Sequence, residues 1–441
     1  MAARGLDRRT FLRGAGVVGA SVATPALLGG CGRDDDDALT FFFGAQPEEE
    51  KVRLRIIEAF RREHPEIRIR TQLAGPDPLQ QMLTACAGGR CPDVMMAWEL
   101  TYSGLAERGV LLDLNEELDK TPAYKTALRQ DSSETLYDTF AFDGGQYALP
   151  EQFAGVFLYW NKKLFAEAGL EPPPARWEQA WTFDDFLEAA RALTKRDRAG
   201  DVVQWGFVDP WQPYLSAGVF GMNNGVEWFS PSVDPKLTNM GDDDFIEGFQ
   251  FYADLAITHG VAPMPADNQA VSALDRFLRG EAGMALVGHW MYPAFTGAAD
   301  LDFDVAVLPK GPNADIARSD VGTTGLAIAA ESPRKEQAWE FVKFATGPAG
   351  QAIIAESGLF IPVLTSAANS EGFRKAHTEV RNLEVFTGAL QNANNLPVTP
   401  AWGKIETLIA REANQVLRGA GSARSFKDGL AADIDDLLSA V

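Results

Sequence analysis

Leu39-Thr40-Phe41-Phe42-Phe43, followed within four residues by Pro47-Glu48-Glu49-Glu50, decides how this chain begins to fold. The first piece has the length and aromatic content of a buried strand. The second opens a helix, because proline is tolerated in a first turn and acids there complement the helix dipole. Val52, Ile56, Ile57 and Phe60 supply that helix with an apolar face at helical spacing. Ile67-Arg68-Ile69-Arg70-Thr71-Gln72-Leu73 alternates as a strand does, and Leu79, Met82, Leu83 and Cys86 mark a second helix. Pro92-Asp93-Val94-Met95-Met96-Ala97 reads as a third strand. Strands alternating with helices predict an α/β fold with a mostly parallel sheet.

The pattern continues outward. A strand is predicted over 155–160, a helix over 162–168, and a rigid surface loop at Pro172-Pro173-Pro174. Thr182 and Asp185 have capping-box spacing ahead of Phe186, Ala190 and Leu193. Further helices are predicted over 243–258, 271–279, 336–346, 405–417 and 426–438, the last capped by Ser425 with Asp428. Strands are predicted over 284–288, 303–308 and 326–330.

At 441 residues the chain has room for two domains. Its 46% hydrophobic and 23% charged residues are those of an ordinary soluble protein. A net charge of -21 argues against nucleic-acid binding, which needs a basic footprint. Gly14-Ala15-Gly16-Val17-Val18-Gly19 has the letters of a dinucleotide motif, but no strand precedes it, so no cofactor is expected. Four histidines, none near a cysteine at zinc-ligand spacing, argue against a metal site.

The amino terminus carries Asp7-Arg8-Arg9-Thr10-Phe11-Leu12-Arg13, then a mildly apolar, glycine-rich stretch ending in Leu28-Gly29-Gly30-Cys31. This reads as a twin-arginine-type lipoprotein signal over 1–30, with Cys31 becoming a lipid-modified terminus. An acidic linker over 31–38, with Asp34 to Asp37 in one run, is expected to stay solvated and extended. The protein is then anchored on the outer side of the cytoplasmic membrane. The remaining cysteines, Cys86 and Cys91, flank a turn-forming stretch; a local disulfide and two free thiols are both open.

Several segments, taken in order, resemble the family-1 extracellular solute-binding proteins of ABC importers, the maltose-binding-protein-like group. They are 60–67, 91–94, 105–114, Tyr147-Ala148-Leu149-Pro150 before 158–165, 277–284 before Gly288-His289-Trp290, and Ala338-Trp339-Glu340-Phe341-Val342-Lys343-Phe344 before Gln351 and Ile361-Pro362. Two departures are visible: Trp160-Asn161 replaces the usual Tyr-Asn of the crossing strand, and 175–181 looks longer than usual. The resemblance implies two α/β lobes with a ligand cleft between them, residues 39–154 plus 310–357 forming one and 155–309 plus 358–441 the other. It implies a non-enzymatic monomer that captures a solute, a carbohydrate first among them, and delivers it to ABC permease subunits.

A pyranose presents apolar C–H faces and an equator of hydroxyls, so its site needs aromatic planes with carboxylates, amides and backbone groups around them. Trp98-Glu99 and Gln46 follow strands at the carboxyl end, where open α/β sheets present ligand sites. Glu151-Gln152 lies where the first crossing connection is expected, and Trp290 matches a family position whose aromatic stacks on sugar. Trp211-Gln212 in a proline-flanked loop, Thr323-Thr324 between glycines, and Trp402 complete the candidates. Trp177, Trp181, Trp205, Trp228 and Trp339 read as structural, and His289 as a polar neighbour of Trp290 rather than a catalyst. Two alternatives remain open. Glu99 and Glu151 suit a polyamine, or another non-sugar solute, on the same fold. The many carboxylates also leave room for an exported carbohydrate-active enzyme.

Overall fold

Phe41, Phe42 and Phe43 are all buried, as a strand flanked on both sides and covered on both faces must be. The computed structural model describes residues 37–441, apart from Ala45 and Pro76. The expected export signal, Cys31 and the acidic run as far as Asp36 lie outside the described residues. From Ala38 to Val441 the chain is one compact unit built on two five-stranded sheets.

In the first sheet β1 (Leu39–Phe43) lies between β2 (Ile69–Leu73) and β3 (Val94–Trp98), parallel to both. The chain then leaves through β4 (Leu149–Phe153), which runs almost directly into β5 (Val156–Asn161) of the second sheet. There β5 pairs antiparallel with β8 (Ala282–Gly288) and β9 (Phe303–Ala306). β7 (Val202–Val208) lies parallel to β8, and the short β6 (Lys195–Arg196) pairs antiparallel with β7 at the edge. The chain returns through β10 (Thr323–Ile328), inserted between β3 and β4 and antiparallel to both. The expectation of a mostly parallel sheet is therefore corrected: both sheets are mixed, because each takes strands from a chain that crosses over and comes back in the opposite sense.

Helices form where the apolar spacing places them. α1 (Pro47–Glu63) packs Val52, Ile56, Ile57 and Phe60 onto the first sheet. α2 (Pro78–Ala87) is capped by the Asp77 side chain and ends at the Cys86–Cys91 disulfide, which closes the turn into β3. α3 (Phe183–Leu193) carries the reciprocal Thr182–Asp185 capping box. α4 (Asp243–Ile257), α5 (Lys335–Thr346) and α6 (Trp402–Leu417) follow, and the chain closes with α7 (Leu430–Ser439). Ser425 does not cap α7: residues Ala423–Asp428 form a 3-10 turn, and α7 begins only after Gly429. Ala423 and Phe426 are buried, and that packing holds the chain in the tighter turn.

Between the sheets three segments run side by side. Phe153 and Ile361 exchange a pair of backbone hydrogen bonds at 2.9 Å, and the Ala154 N–H donates to the Gly322 carbonyl at 2.7 Å. The Val156 N–H donates to Asp320 Oδ1 at 2.7 Å, and the Ser319 hydroxyl donates to the Val156 carbonyl at 2.9 Å. Gly155 is needed here: a Cβ at this position would lie 2.5 Å from Ser319 Oγ and 2.7 Å from the Asp320 carbonyl.

Candidate functional site

A cavity of about 860 Å³ opens over these crossing segments. One wall comes from the first sheet: Gln46 and the first turn of α1, then Met96, Trp98 and Glu99 at the end of β3. Gln152, Ala154, Thr323, Thr324 and Phe360 form the floor. The opposite wall is Trp290 and Met291, in the turn that follows β8, with Pro293 and Ala294 beyond. Register aligns part of this surface: Thr324 sits opposite Trp98 on one side and Gln152 on the other, so the three form a row across neighbouring strands.

Trp98 is half-buried and packs on both apolar clusters of the first sheet. Trp290 is half-buried and touches the clusters on both faces of the second sheet as well as one of the first. Its ring folds back over its own chain: a methyl group on Gly288 would overlap it, so the glycine is what admits this orientation. Just before it, His289 is buried, its Nδ1 3.1 Å from the carbonyl of Leu359 and its Nε2 2.9 Å from Nε2 of His377. That contact ties the Trp290 turn to the Leu359-Phe360 floor.

The floor rests on a buried ion network. Arg53 Nη1 donates to Glu151 at 2.7 Å and Nη2 to Glu49 at 3.3 Å, with Met96 Sδ at 3.5 Å from the same nitrogen. The Thr324 hydroxyl donates to the other oxygen of Glu151 at 3.1 Å. Burial, with Glu49 adding to it and Arg53 opposing, pushes the Glu151 carboxyl up to about 7. Glu99 has no such guanidinium. Desolvation in the wall, reinforced by Asp320 and opposed by the backbone N–H groups of Glu99 and Thr323, pushes its half-buried carboxyl up to about 8. Asp320, buried, rises to about 6. The side-chain oxygen of Gln152 is buried without a hydrogen-bond partner.

The sequence-based candidates thus divide. Gln46, Trp98, Glu99, Gln152, Trp290, Thr323 and Thr324 meet in the cavity wall. Glu151 is 1% exposed and lies behind it. The register of β4 on β10 shifts here, Thr324 meeting Gln152 and Gly325 meeting Pro150, so Glu151 is the extra residue of a bulge, and its carboxylate meets Arg53. Its two carboxylate oxygens are taken by Arg53 and Thr324. Trp211 lies tilted against Trp290, with ring centroids 6.4 Å apart, but lines a neighbouring cavity of about 360 Å³ with Asp209, Tyr252 and Asn268. Gln212 is exposed and its carbonyl caps the helix that follows. Trp402 is buried with Ile405 and Ile409 on the inner face of α6, so it is core. The Thr323 hydroxyl is spent on the Gln152 carbonyl at 2.5 Å, because Thr323 and Thr324 are strand residues rather than a loop. Among the tryptophans read as structural, Trp177, Trp205, Trp228 and Trp339 are buried. Met96, Phe360, Met291 and Glu49 were missed; only Phe360 and Met291 carried a signal, as neighbours of Ile361-Pro362 and Trp290.

Comparison with known proteins agrees with this architecture. Residues 45–352 match the profile of a family described as bacterial extracellular solute-binding protein. A putative binding protein of Brucella abortus is 23% identical over 387 residues, covering 86% of this chain and 88% of its own. The diacetylchitobiose-binding protein DasA of Streptomyces coelicolor is 24% identical over 355 residues, covering 79% of this chain and 77% of its own. Among solved structures, an ABC substrate-binding protein of Listeria monocytogenes in complex with cycloalternan superposes with a TM-score of 0.78 at 25% identity, covering 91% of this chain and 99% of the other.

Proposed function

The chain belongs to the bacterial extracellular solute-binding protein family, and from that premise we propose that it captures a carbohydrate and delivers it to the permease of an ABC importer. The observation that carries this reading is the pair Trp98 and Trp290, set in walls supplied by different sheets, with Gln46, Glu99 and Gln152 between them. Two indole faces pack the apolar faces of a sugar ring, and the acids and amides take its hydroxyl donors. The relatives named above for diacetylchitobiose and cycloalternan support the carbohydrate class. Residues 39–154 with 310–357, and 155–309 with 358–441, act as two lobes that close on the ligand about the segments near Gly155, Asp320 and Ile361. Binding needs no catalytic group, so the protein works without turnover, and a cleft built within one chain suits a monomer. Lipid on Cys31 holds it outside the cytoplasmic membrane beside its permease.

A ligand that binds only the folded state raises its melting temperature. A thermal-shift screen of mono- and oligosaccharides should therefore give a clear rise with at least one, and that sugar should be recovered chemically unchanged. No shift with any saccharide, or conversion of the sugar to product, would remove this reading.

A further inference from the structure

The polar surface of the cavity is one-sided. Glu48, Glu49 and Glu99 line it, and no lysine, arginine or histidine does. The nearest guanidinium, Arg53, lies behind the wall with Nη1 committed to Glu151 and Nη2 to Glu49. The Thr323 and Thr324 hydroxyls donate inward, to the Gln152 carbonyl and to Glu151. What remains for a ligand includes the Glu99 carboxyl and the Gln152 side-chain oxygen, which is buried and unpartnered. Glu99 and Asp320 repel each other, and the groups that favour the Glu99 carboxylate are the backbone N–H groups of Glu99 and Thr323. The helix end nearest the cavity offers nothing to an anion, since Glu48, Glu49 and Glu50 already occupy the first turn of α1. A metal ion does not fit this arrangement either: among the described residues no three acidic, histidine or cysteine side chains gather to hold one.

We propose that the ligand is a saccharide carrying a protonated primary amine, and that its ammonium group docks on Glu99 beside Trp98 while Gln152 accepts a second donor. The inference rests on the carbohydrate reading and narrows it. An ammonium ion has three donors and no acceptor, the complement of this wall. The face of Trp98 adds a cation–π surface next to the carboxyl. Docking also resolves this half-buried carboxyl. Free Glu99 holds its proton near neutral pH, where burial raises it to about 8, and the arriving cation favours the carboxylate. Binding at pH 7 therefore releases a proton. The charged groups around Glu99 are Asp320 from the crossing segment, Glu48 and Glu49 from α1, and Arg53 with Glu151 beneath the floor. Trp290 and Met291 bring no charge from the opposite wall.

Four probes test this by isothermal titration of the full chain at pH 7, in two buffers of different ionisation enthalpy: the β-1,4-linked trisaccharides of glucosamine, N-acetylglucosamine and glucose, and spermidine. The glucosamine trimer should bind roughly tenfold or more tightly than either neutral trimer, a difference of about 1.4 kcal/mol or more, and should alone among the sugars release a proton. Glu99→Gln should abolish both the preference and the proton release, with a melting curve confirming that it is folded; Asp320→Asn should reduce the proton release. If a neutral trimer binds as tightly as the amine, or Glu99→Gln keeps the preference, the amine inference fails and the carbohydrate reading survives. If spermidine binds and no sugar does, both fail. If none of the four binds, the amine inference fails, and the carbohydrate reading rests on the broader screen.

Discussion

At the scale of single residues, the site depends on what surrounds each aromatic ring as much as on the ring itself. Trp290 reaches the cavity because Gly288 leaves room for it. Gly288→Ala retains the indole but drives it out of its place in the wall, so it should weaken ligand binding by about tenfold, or about 1.4 kcal/mol. Trp290→Ala should weaken binding at least as much. Titration with the best ligand from the thermal-shift screen checks both, and undiminished affinity in the glycine variant would show that the ring is not a contact. Of the candidates named from sequence, those that follow strand ends or precede a crossing were legible, because strand position alone places Gln46, Trp98 and Gln152 near the cleft. Glu151 was not, since its direction depends on a bulge that shows only in the pairing of β4 with β10, where Thr324 meets Gln152 and Gly325 meets Pro150.

At the scale of elements, α1 does two things. Its acidic first turn edges the cavity, and one turn further in Arg53 pins the floor. Removing one partner of a buried ion pair leaves the other uncompensated, which typically costs about 3–5 kcal/mol. Arg53→Met should therefore lower stability at pH 7 by roughly 3 kcal/mol in urea unfolding. The loss should be smaller at pH 5, where the Glu151 carboxyl, raised to about 7, is neutral in both proteins. Adding Glu151→Gln should recover part of it; a double variant as unstable as the single one would mean that the cost is packing rather than charge. Helix positions were readable from apolar spacing, as at α1 and α5, and from the Thr182–Asp185 cap of α3. The start of α7 was not, because burial of Ala423 and Phe426 overrides the local capping signal at Ser425.

At the scale of the whole molecule, the unliganded cleft is an electrostatic liability. A carboxyl raised in the folded state stabilises the fold below its ordinary range, and that contribution is lost as pH climbs to the raised value. For Glu99 the loss extends to about 8, for Glu151 to about 7 and for Asp320 to about 6. His289 and His377 act oppositely: burial holds both rings below the usual imidazole range, so they favour the fold above pH 6.5 and oppose it as pH falls. Between pH 6.5 and 8 the histidine contribution fades and the carboxyls govern the slope. The melting temperature of the free protein should fall across that interval, and Glu99→Gln should flatten the fall; a flat wild-type profile would mean that Glu99 is already ionised. Cys31→Ser should move the protein from membranes to the soluble fraction, and continued membrane association would remove the lipid anchor from the proposal.

The sequence by itself determined the local alternation of strands and helices and which residue types are available to meet a sugar, because those follow from spacing and composition within a few neighbouring positions. Only the tertiary structure decided that both sheets are mixed, that Trp98 and Trp290 face one cavity while Trp402 does not, that Arg53 is taken by Glu151, and that Glu99 is left without a cation. Each of these depends on chain segments 50 to 300 residues apart being brought together, as Arg53 and Glu151 are across 98 positions. Nothing in the spacing of nearby residues encodes such a meeting.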